Sequence, residues 1–372
     1  MAACSLGSPP PDQNGEPPNL PAASASPSTP SSIGDGDGSA EADVVASNIP
    51  QPWGIAFLPD GSALVTERKT GRILKIGQPA TPNGLTTSTF AVVKGISATG
   101  DGGLLGIAVS PHFATDSSVF VYYSTTTDNR IVKVQAAAPP TVIVKGIPRG
   151  ATDNGGALAF GPDGYLYAST GDAGRTSGGL KAPSQDSKSL AGKILRMTVT
   201  GKPAPSNPTP TSLIYARGFH NVEGLAWDQH KHLYVVDAGA RADNVDVVKS
   251  GGNYGWPLMG TSHPLSGVPT PIQTWPLDQS TCSGAAIVDN AFATACPTGK
   301  RLWLVEITAN ASTFGAPASI LANTYGRLRA VVAAPDGTLW ISTTNTDGHG
   351  TAGPQDDQII RVVLPGVGAG VT

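Results

Sequence analysis

One phrase returns six times along this chain: an apolar run, a turn built on Gly, Pro or Asp, and a second apolar run. It reads Pro52-Trp53-Gly54-Ile55-Ala56-Phe57 with Ala63–Glu67, then Gly103-Leu104-Leu105-Gly106-Ile107 with Val119–Ser124. It returns from Gly156, from Glu223-Gly224-Leu225-Ala226-Trp227 with 232–237, from 283–289 with 302–307, and from 328–334 with 338–343. Further short apolar runs follow most copies, including 71–76, 130–134, 192–196 and 358–364. A unit of a few short strands cannot bury two apolar faces alone, whereas six units packed side by side and closed into a ring can. The abundance of turn formers, 46 Gly and 33 Pro, fits many short strands better than long helices. The expected fold is therefore all-β: a six-bladed β-propeller with four-stranded antiparallel blades over 47–366, and a flexible tail at 367–372. The chain near 43–48 is expected to add a strand to the final blade and close the ring.

The third copy carries the strongest chemical signal. Its strands are expected at 157–160 and 165–169, across the turn Gly161-Pro162-Asp163-Gly164. Pro162 presets φ there, and Gly164 takes an angle that a branched residue resists. Asp153 precedes this hairpin and Asp172 follows it, so antiparallel pairing brings the two carboxylates to one end. Such a pair is a cation site, an acid/base pair, or two solvated loop residues. Residues ahead of the other phrases point to the same axial pocket: Asp101, His220 with Asn221, and Arg327 with Arg329. By contrast, His112, His230, His232 and His263 show no metal-ligand spacing and read as loop or surface residues. Trp53, Trp227, Trp256 and Trp340 read first as blade packing, with Tyr254 and Trp256 lining the pocket mouth as the alternative.

Charge excludes some functions. A net charge of −3 with sparse Lys and Arg offers no basic face for nucleic acid or anionic lipid. No run of about 18 apolar residues is present to span a bilayer as a helix. Met1-Ala2-Ala3-Cys4 has the form of the end of a bacterial lipoprotein signal, with Cys4 the lipidated residue and the export segment removed. Residues 5–46 are Pro, Ser, Ala, Gly and Asp with almost no large apolar group, which predicts a disordered tether from 1 to 46. The expectation is an exported cell-envelope protein, held at the membrane only through a lipid on Cys4 or released outside the cell. Export also favours pairing of Cys282 with Cys296, a bridge worth roughly 3 kcal/mol, whereas a cytosolic protein would keep both thiols free. Asn310-Ala311-Ser312 matches a glycosylation acceptor, which has no meaning in a bacterial source.

With these residues in view, the chain resembles the soluble sugar dehydrogenases that use pyrroloquinoline quinone (PQQ), the glucose/sorbosone dehydrogenase family. Matching phrases run through 52–364 and include Gly103-Leu104-Leu105-Gly106, Gly171-Asp172 and Gly192-Lys193-Ile194-Leu195-Arg196. The most specific is Gly251-Gly252-Asn253-Tyr254-Gly255-Trp256-Pro257. The lipoprotein start and 125–130 are most similar to an actinobacterial, LppZ-like lipoprotein branch. The resemblance implies a six-bladed propeller, PQQ over the central channel, calcium ions, a small sugar substrate and an electron acceptor. It implies that Arg327 and Arg329 hold quinone carboxylates, that Asn221 contacts the cofactor, and that Asp172 orients the base. Asp153 stands where the family has the His that takes the anomeric hydroxyl proton. His220 stands for an Arg, Asp101 for a Gln and Thr308 for a Lys among the cofactor contacts. The short run Asp243-Asn244-Val245-Asp246 stands for the acidic calcium loop.

PQQ carries three carboxylates, so losing an Arg and a Lys removes compensation, and Asp101 and Asp153 add opposing charge unless calcium lies between them. The first reading keeps the family activity: oxidation of the anomeric carbon of an aldose to a lactone by hydride transfer to PQQ, with Asp153 as base. The second is a non-catalytic envelope propeller that has lost PQQ and serves as a binding or scaffold protein. The third is a calcium-dependent lactonase-like hydrolase, with Asp101, Asp153, Asp172 and Asn221 around one calcium. The Arg pair would repel such a site and argues against it.

Overall fold

Each copy of the repeated phrase forms the innermost strand of one antiparallel sheet. The computed structural model describes residues 31–33, 40–77, 85–136, 138–258, 266–308 and 313–364; Cys4, His263, Asn310 and the 367–372 tail lie outside them. Blade 1 comprises Pro52–Phe57, Ala63–Glu67, Arg72–Ile76 and Thr87–Val92, and blade 2 comprises Leu104–Val109, Val119–Ser124, Asn129–Gln135 and Ala138–Ile147. Blade 3 runs through Leu158–Phe160, Leu166–Ser169, Lys193–Met197 and Ile214–Arg217. Blade 4 follows with Val222–Trp227, Leu233–Asp237, Ala242–Val248 and Gln273–Pro276. Blade 5 is Ser283–Val288, Ala291–Cys296, Arg301–Glu306 and Ala318–Ile320. Blade 6 takes Leu328–Ala333, Leu339–Thr343 and Ile359–Val363 from the C-terminal end, then Ala40–Ala46 from the N-terminal end. The only α-helix among the described residues is the four-residue turn Phe113–Asp116.

Glycine sets how closely the inner strands approach. A Cβ on Gly54 would crowd the Leu105 carbonyl, one on Gly106 would collide with the Gly156 carbonyl, and one on Gly224 would strike Gly284. The small residue in the repeated phrase is therefore the point where neighbouring blades touch near the axis. A hydroxyl on the second strand fastens the next blade there. Thr66 Oγ1 accepts from Gly54 N at 2.8 Å and donates to the Leu105 carbonyl at 2.6 Å. Ser169 does the same between Ala157 N and the Val222 carbonyl, and Ser342 between Ala330 N and the Pro52 carbonyl.

Because strand side chains alternate, each blade presents one apolar face to either neighbour. Leu64 packs toward blade 2 with Leu104, Ile107 and Val121, while Ala63 and Val65 pack toward blade 6 with Ala330 and Ile359. The six apolar clusters among the described residues lie between successive blades. This explains why the strands read as unbroken apolar runs rather than as alternating ones.

Closure differs in one respect from the compositional reading. Ala40–Ala46 pairs antiparallel with Ile359–Val363, and Ser31–Ile33 pairs outside it, so strand pairing begins within the stretch read as a tether. Composition misled because the residues that dock are small: Ala40 and Ala42 are buried against Leu339, Ile360 and Val362. The sheet edge supplies the backbone hydrogen bonds that this segment cannot make for itself.

Candidate functional site

The third-blade hairpin forms as its sequence dictates. Leu158 pairs with Ala168 and Phe160 with Leu166, and Gly164, at φ +76°, closes the turn through its N–H to the Gly161 carbonyl. At the opposite end the Asp153 carbonyl accepts from Ala173 N at 2.9 Å, and a Cβ on Gly171 would collide with that carbonyl. Asp153 and Asp172 are thus fixed side by side, with Asp153 itself at φ +58°.

His220 joins them. One ligating atom each from Asp153, Asp172 and His220 lie within 4.8 Å of one another. Asp172 is fully buried and its oxygens are already engaged: Oδ2 accepts from Trp256 Nε1 at 2.7 Å, and Oδ1 from Gly174 N at 2.8 Å. Burial raises the Asp172 carboxyl, against the Trp256 indole N–H and His220, with Asp153 adding to the rise. His220 is held at three points: ring Nδ1 meets the Ala238 carbonyl, the backbone N–H donates to the Asp237 carboxylate, and Trp256 packs against the ring in an edge arrangement at 4.4 Å. Nε2 lies 3.7 Å from Asp153 Oδ1, whose other oxygen accepts from the Thr152 hydroxyl at 2.7 Å. Burial opposes the imidazolium, but Asp237, the Ala238 carbonyl, Asp153 and Asp172 outweigh it and hold the His220 pKa above its ordinary value. An imidazole ring and a carboxylate with donors on both oxygens make a poor cage for a hard cation, so the cluster suits proton exchange.

A second group faces the same axis. Arg329 pairs with Glu223 at 3.1 Å and lies over the Trp53 ring at 5.2 Å, and Arg327 pairs with Asp347 at 3.0 Å. Glu223 also accepts from Asn221 Nδ2 at 3.0 Å, while Asn221 Oδ1 accepts from Gly155 N at 2.8 Å. Arg329 and the acid–imidazole cluster are thereby joined through Glu223, Asn221 and the loop that carries Asp153. Burial and the neighbouring Arg329 lower the Arg68 guanidinium, with Asp101, Asp347 and Glu223 opposing, which places Arg68 and Asp101 in this field as well. Burial pushes the Glu223 carboxyl up against the pull of Arg329. Arg329 Nε is a buried donor with no acceptor among the described residues.

Other expected site residues lie apart. Thr308 donates to the Thr313 carbonyl at 2.8 Å. Residues 243–246 form part of a blade-4 strand rather than a calcium loop: Asp243 and Asn244, being adjacent, point to opposite faces. The Asp243 carboxylate accepts from Cys282 N and Gly239 N, Asn244 accepts from the Thr274 hydroxyl at 3.1 Å, and Asp246 is buried near Asp237. Cys282 and Cys296 are bonded to each other. Glu223, Arg68, Asp237 and Asp347 belong to the site without having been singled out from the sequence, and Trp256, read as packing, holds Asp172. A signal for Glu223 was present: Trp53, Glu223 and Arg329 each precede the small residue of the phrase, in blades 1, 4 and 6, and the three meet at the axis.

A closed six-bladed ring with an acid–imidazole cluster and paired guanidiniums at its axis defines a propeller of the axial-site type. The family described as Glucose / Sorbosone dehydrogenase matches residues 49–352, and the chain belongs to it. Among solved structures, the PQQ-bound form of aldose sugar dehydrogenase from Streptomyces coelicolor is 38% identical with a TM-score of 0.79, over 90% of this chain and 99% of that one. Aldose sugar dehydrogenase YliI of Escherichia coli is 25% identical over 82% of this chain and 91% of its own. Quinoprotein glucose dehydrogenase B of Acinetobacter calcoaceticus is 29% identical over 58% of this chain, and the match spans 52% of that protein's length.

Proposed function

We propose that the protein is a PQQ-dependent sugar dehydrogenase that oxidises the anomeric carbon of an aldose to a lactone. The observation that carries this reading is the buried, acceptor-less Nε of Arg329, on a guanidinium linked through Glu223 and Asn221 to the acid–imidazole cluster. A carboxylate of the quinone is the kind of acceptor that Nε lacks, so the residues present fit the group. Arg329 and Arg327 would hold its carboxylates, and Asn221, with one amide hydrogen beyond the one given to Glu223, would donate to it. When bound, PQQ supplies the two-electron acceptor that takes the hydride from C1 of the sugar. Asp153 occupies the family's base position, and the cluster it forms with His220 and Asp172 receives the hydroxyl proton. Asp172 fixes Trp256, which in turn holds the His220 ring on edge. Calcium is proposed as the companion ion, because Asp101, Asp153, Glu223 and Asp347 outnumber Arg68, Arg327 and Arg329 around a tricarboxylate.

One observation favours the non-catalytic reading: Arg327 and Arg329 already hold acid partners. Nothing comparable favours the lactonase, since Asn221 Oδ1 and both Asp172 oxygens already accept hydrogen bonds. Titration of the calcium-loaded protein with PQQ, followed by an aldose panel with a dye acceptor, separates the two. Binding at micromolar quinone is expected, weakened more than tenfold by Arg329→Met. No binding at that concentration would overturn the dehydrogenase reading. Export with a lipid on Cys4 is part of the proposal and is supported by the Cys282–Cys296 bond. Recovery in the cytosol with both thiols free would exclude it.

A further inference from the structure

The cluster contains two candidate proton acceptors, and its geometry distinguishes them. A carbonyl oxygen can only accept, so the contact between His220 Nδ1 and the Ala238 carbonyl places the ring's fixed proton on Nδ1. The lone pair of the neutral ring is then on Nε2, which turns toward Asp153 at 3.7 Å, an ion-pair separation too long for a hydrogen bond. Asp172 is the poorer acceptor, because Gly174 N and Arg175 N both reach its Oδ1, Trp256 Nε1 reaches its Oδ2, and the residue is fully buried. Asp153 has one oxygen occupied by Thr152 and directs the other at His220. The ring is fixed by backbone and aromatic contacts, as a base that must meet a substrate hydroxyl requires.

We propose that His220 Nε2 is the proton acceptor of the oxidation, and that Asp153 is a positioning residue that stabilises the imidazolium. The assignment rests on the dehydrogenase reading above. In the step, the anomeric O–H bond breaks and its proton moves to Nε2, the oxygen's electron pair becomes the second bond of the lactone carbonyl, and C1–H leaves as hydride to PQQ. The sugar is oxidised by two electrons and the quinone is reduced by two. The charged groups that face the ring are Asp153 and Asp172 from blade 3 and Asp237 from blade 4. All three are acids, so each supports the imidazolium that this transfer creates.

Long-range 1H–15N NMR of the protein without quinone, with His220 assigned by its loss in His220→Gln, reads the tautomer directly. The expected result is an Nδ1–H ring whose pKa falls by about one unit in Asp153→Asn, through loss of the facing charge. With PQQ and sugar at saturating concentrations, kcat of His220→Gln should fall by about 10²–10⁴. Asp153→Asn should slow turnover less and move the acid limb of kcat/KM to lower pH. An Nε2–H tautomer, or a His220→Gln enzyme within tenfold of the parent kcat, would overturn the assignment and return the role to Asp153. Failure of PQQ to bind the parent protein would instead overturn the dehydrogenase reading, and this assignment with it.

Discussion

Glu223 is the residue through which the charge at the axis can be changed with least disturbance. It is half-buried, shares Arg329 with whatever anion binds there, and desolvation has already raised its carboxyl. Glu223→Gln keeps the shape and the bond from Asn221 while removing one negative charge beside an incoming tricarboxylate. Quinone affinity measured by fluorescence titration should therefore rise, by about tenfold for each 1.4 kcal/mol of repulsion removed. Unchanged or weaker binding would mean that the Glu223–Arg329 pair does not compete with the ligand. At this scale the sequence was partly legible. Asp153 and Asp172 could be placed together because a hairpin brings its ends together. His220 could be placed at the pocket, but not oriented, because pairing brings Asp237 and Ala238 near it without deciding that the carbonyl meets the ring and the carboxylate the backbone N–H.

The blade-4 strand Ala242–Val248 shows how an element can mislead. Its acids have the composition of a calcium loop, yet pairing on both sides makes it a strand, which buries Asp243 and Asp246. Burial pushes Asp243 up to about 7, against the Cys282 N–H, and burial with Asp237 nearby pushes Asp246 up to about 8. A folded pKa above the unfolded carboxylate value means that the native state binds the proton more tightly. The stabilisation is complete below about pH 4 and is lost as pH rises through about 7–8. Asp246→Asn should accordingly gain several degrees of Tm over the parent at pH 8 compared with pH 5, by scanning calorimetry. An identical difference at both values would show that the carboxyl does not titrate with folding.

Over the whole molecule, stability depends on closing the ring, because each blade's apolar faces are covered only by its neighbours. The closing strand is the one brought from the other end of the chain, Ala40–Ala46 on Ile359–Val363. A chain beginning at Asn48 should melt about 10 °C or more below one beginning at Ser31, measured at equal concentration, since it exposes the Ile359–Val363 edge. Equal melting temperatures would show that the ring closes without it. The number of blades and the third-blade hairpin were determined by the sequence alone, because short apolar runs and Gly-Pro-Asp turns act over a few residues. Which acids pair with Arg327 and Arg329, which histidine nitrogen is left open, and that Ala40 belongs to the last blade were decided only by the tertiary structure. Arg329 meets Glu223 from 106 residues away and Ala42 meets Val362 from the other end of the chain, distances that no local pattern encodes. Asp347 and Ala238 are near their partners in sequence, but only the folded loops decide which atoms they meet.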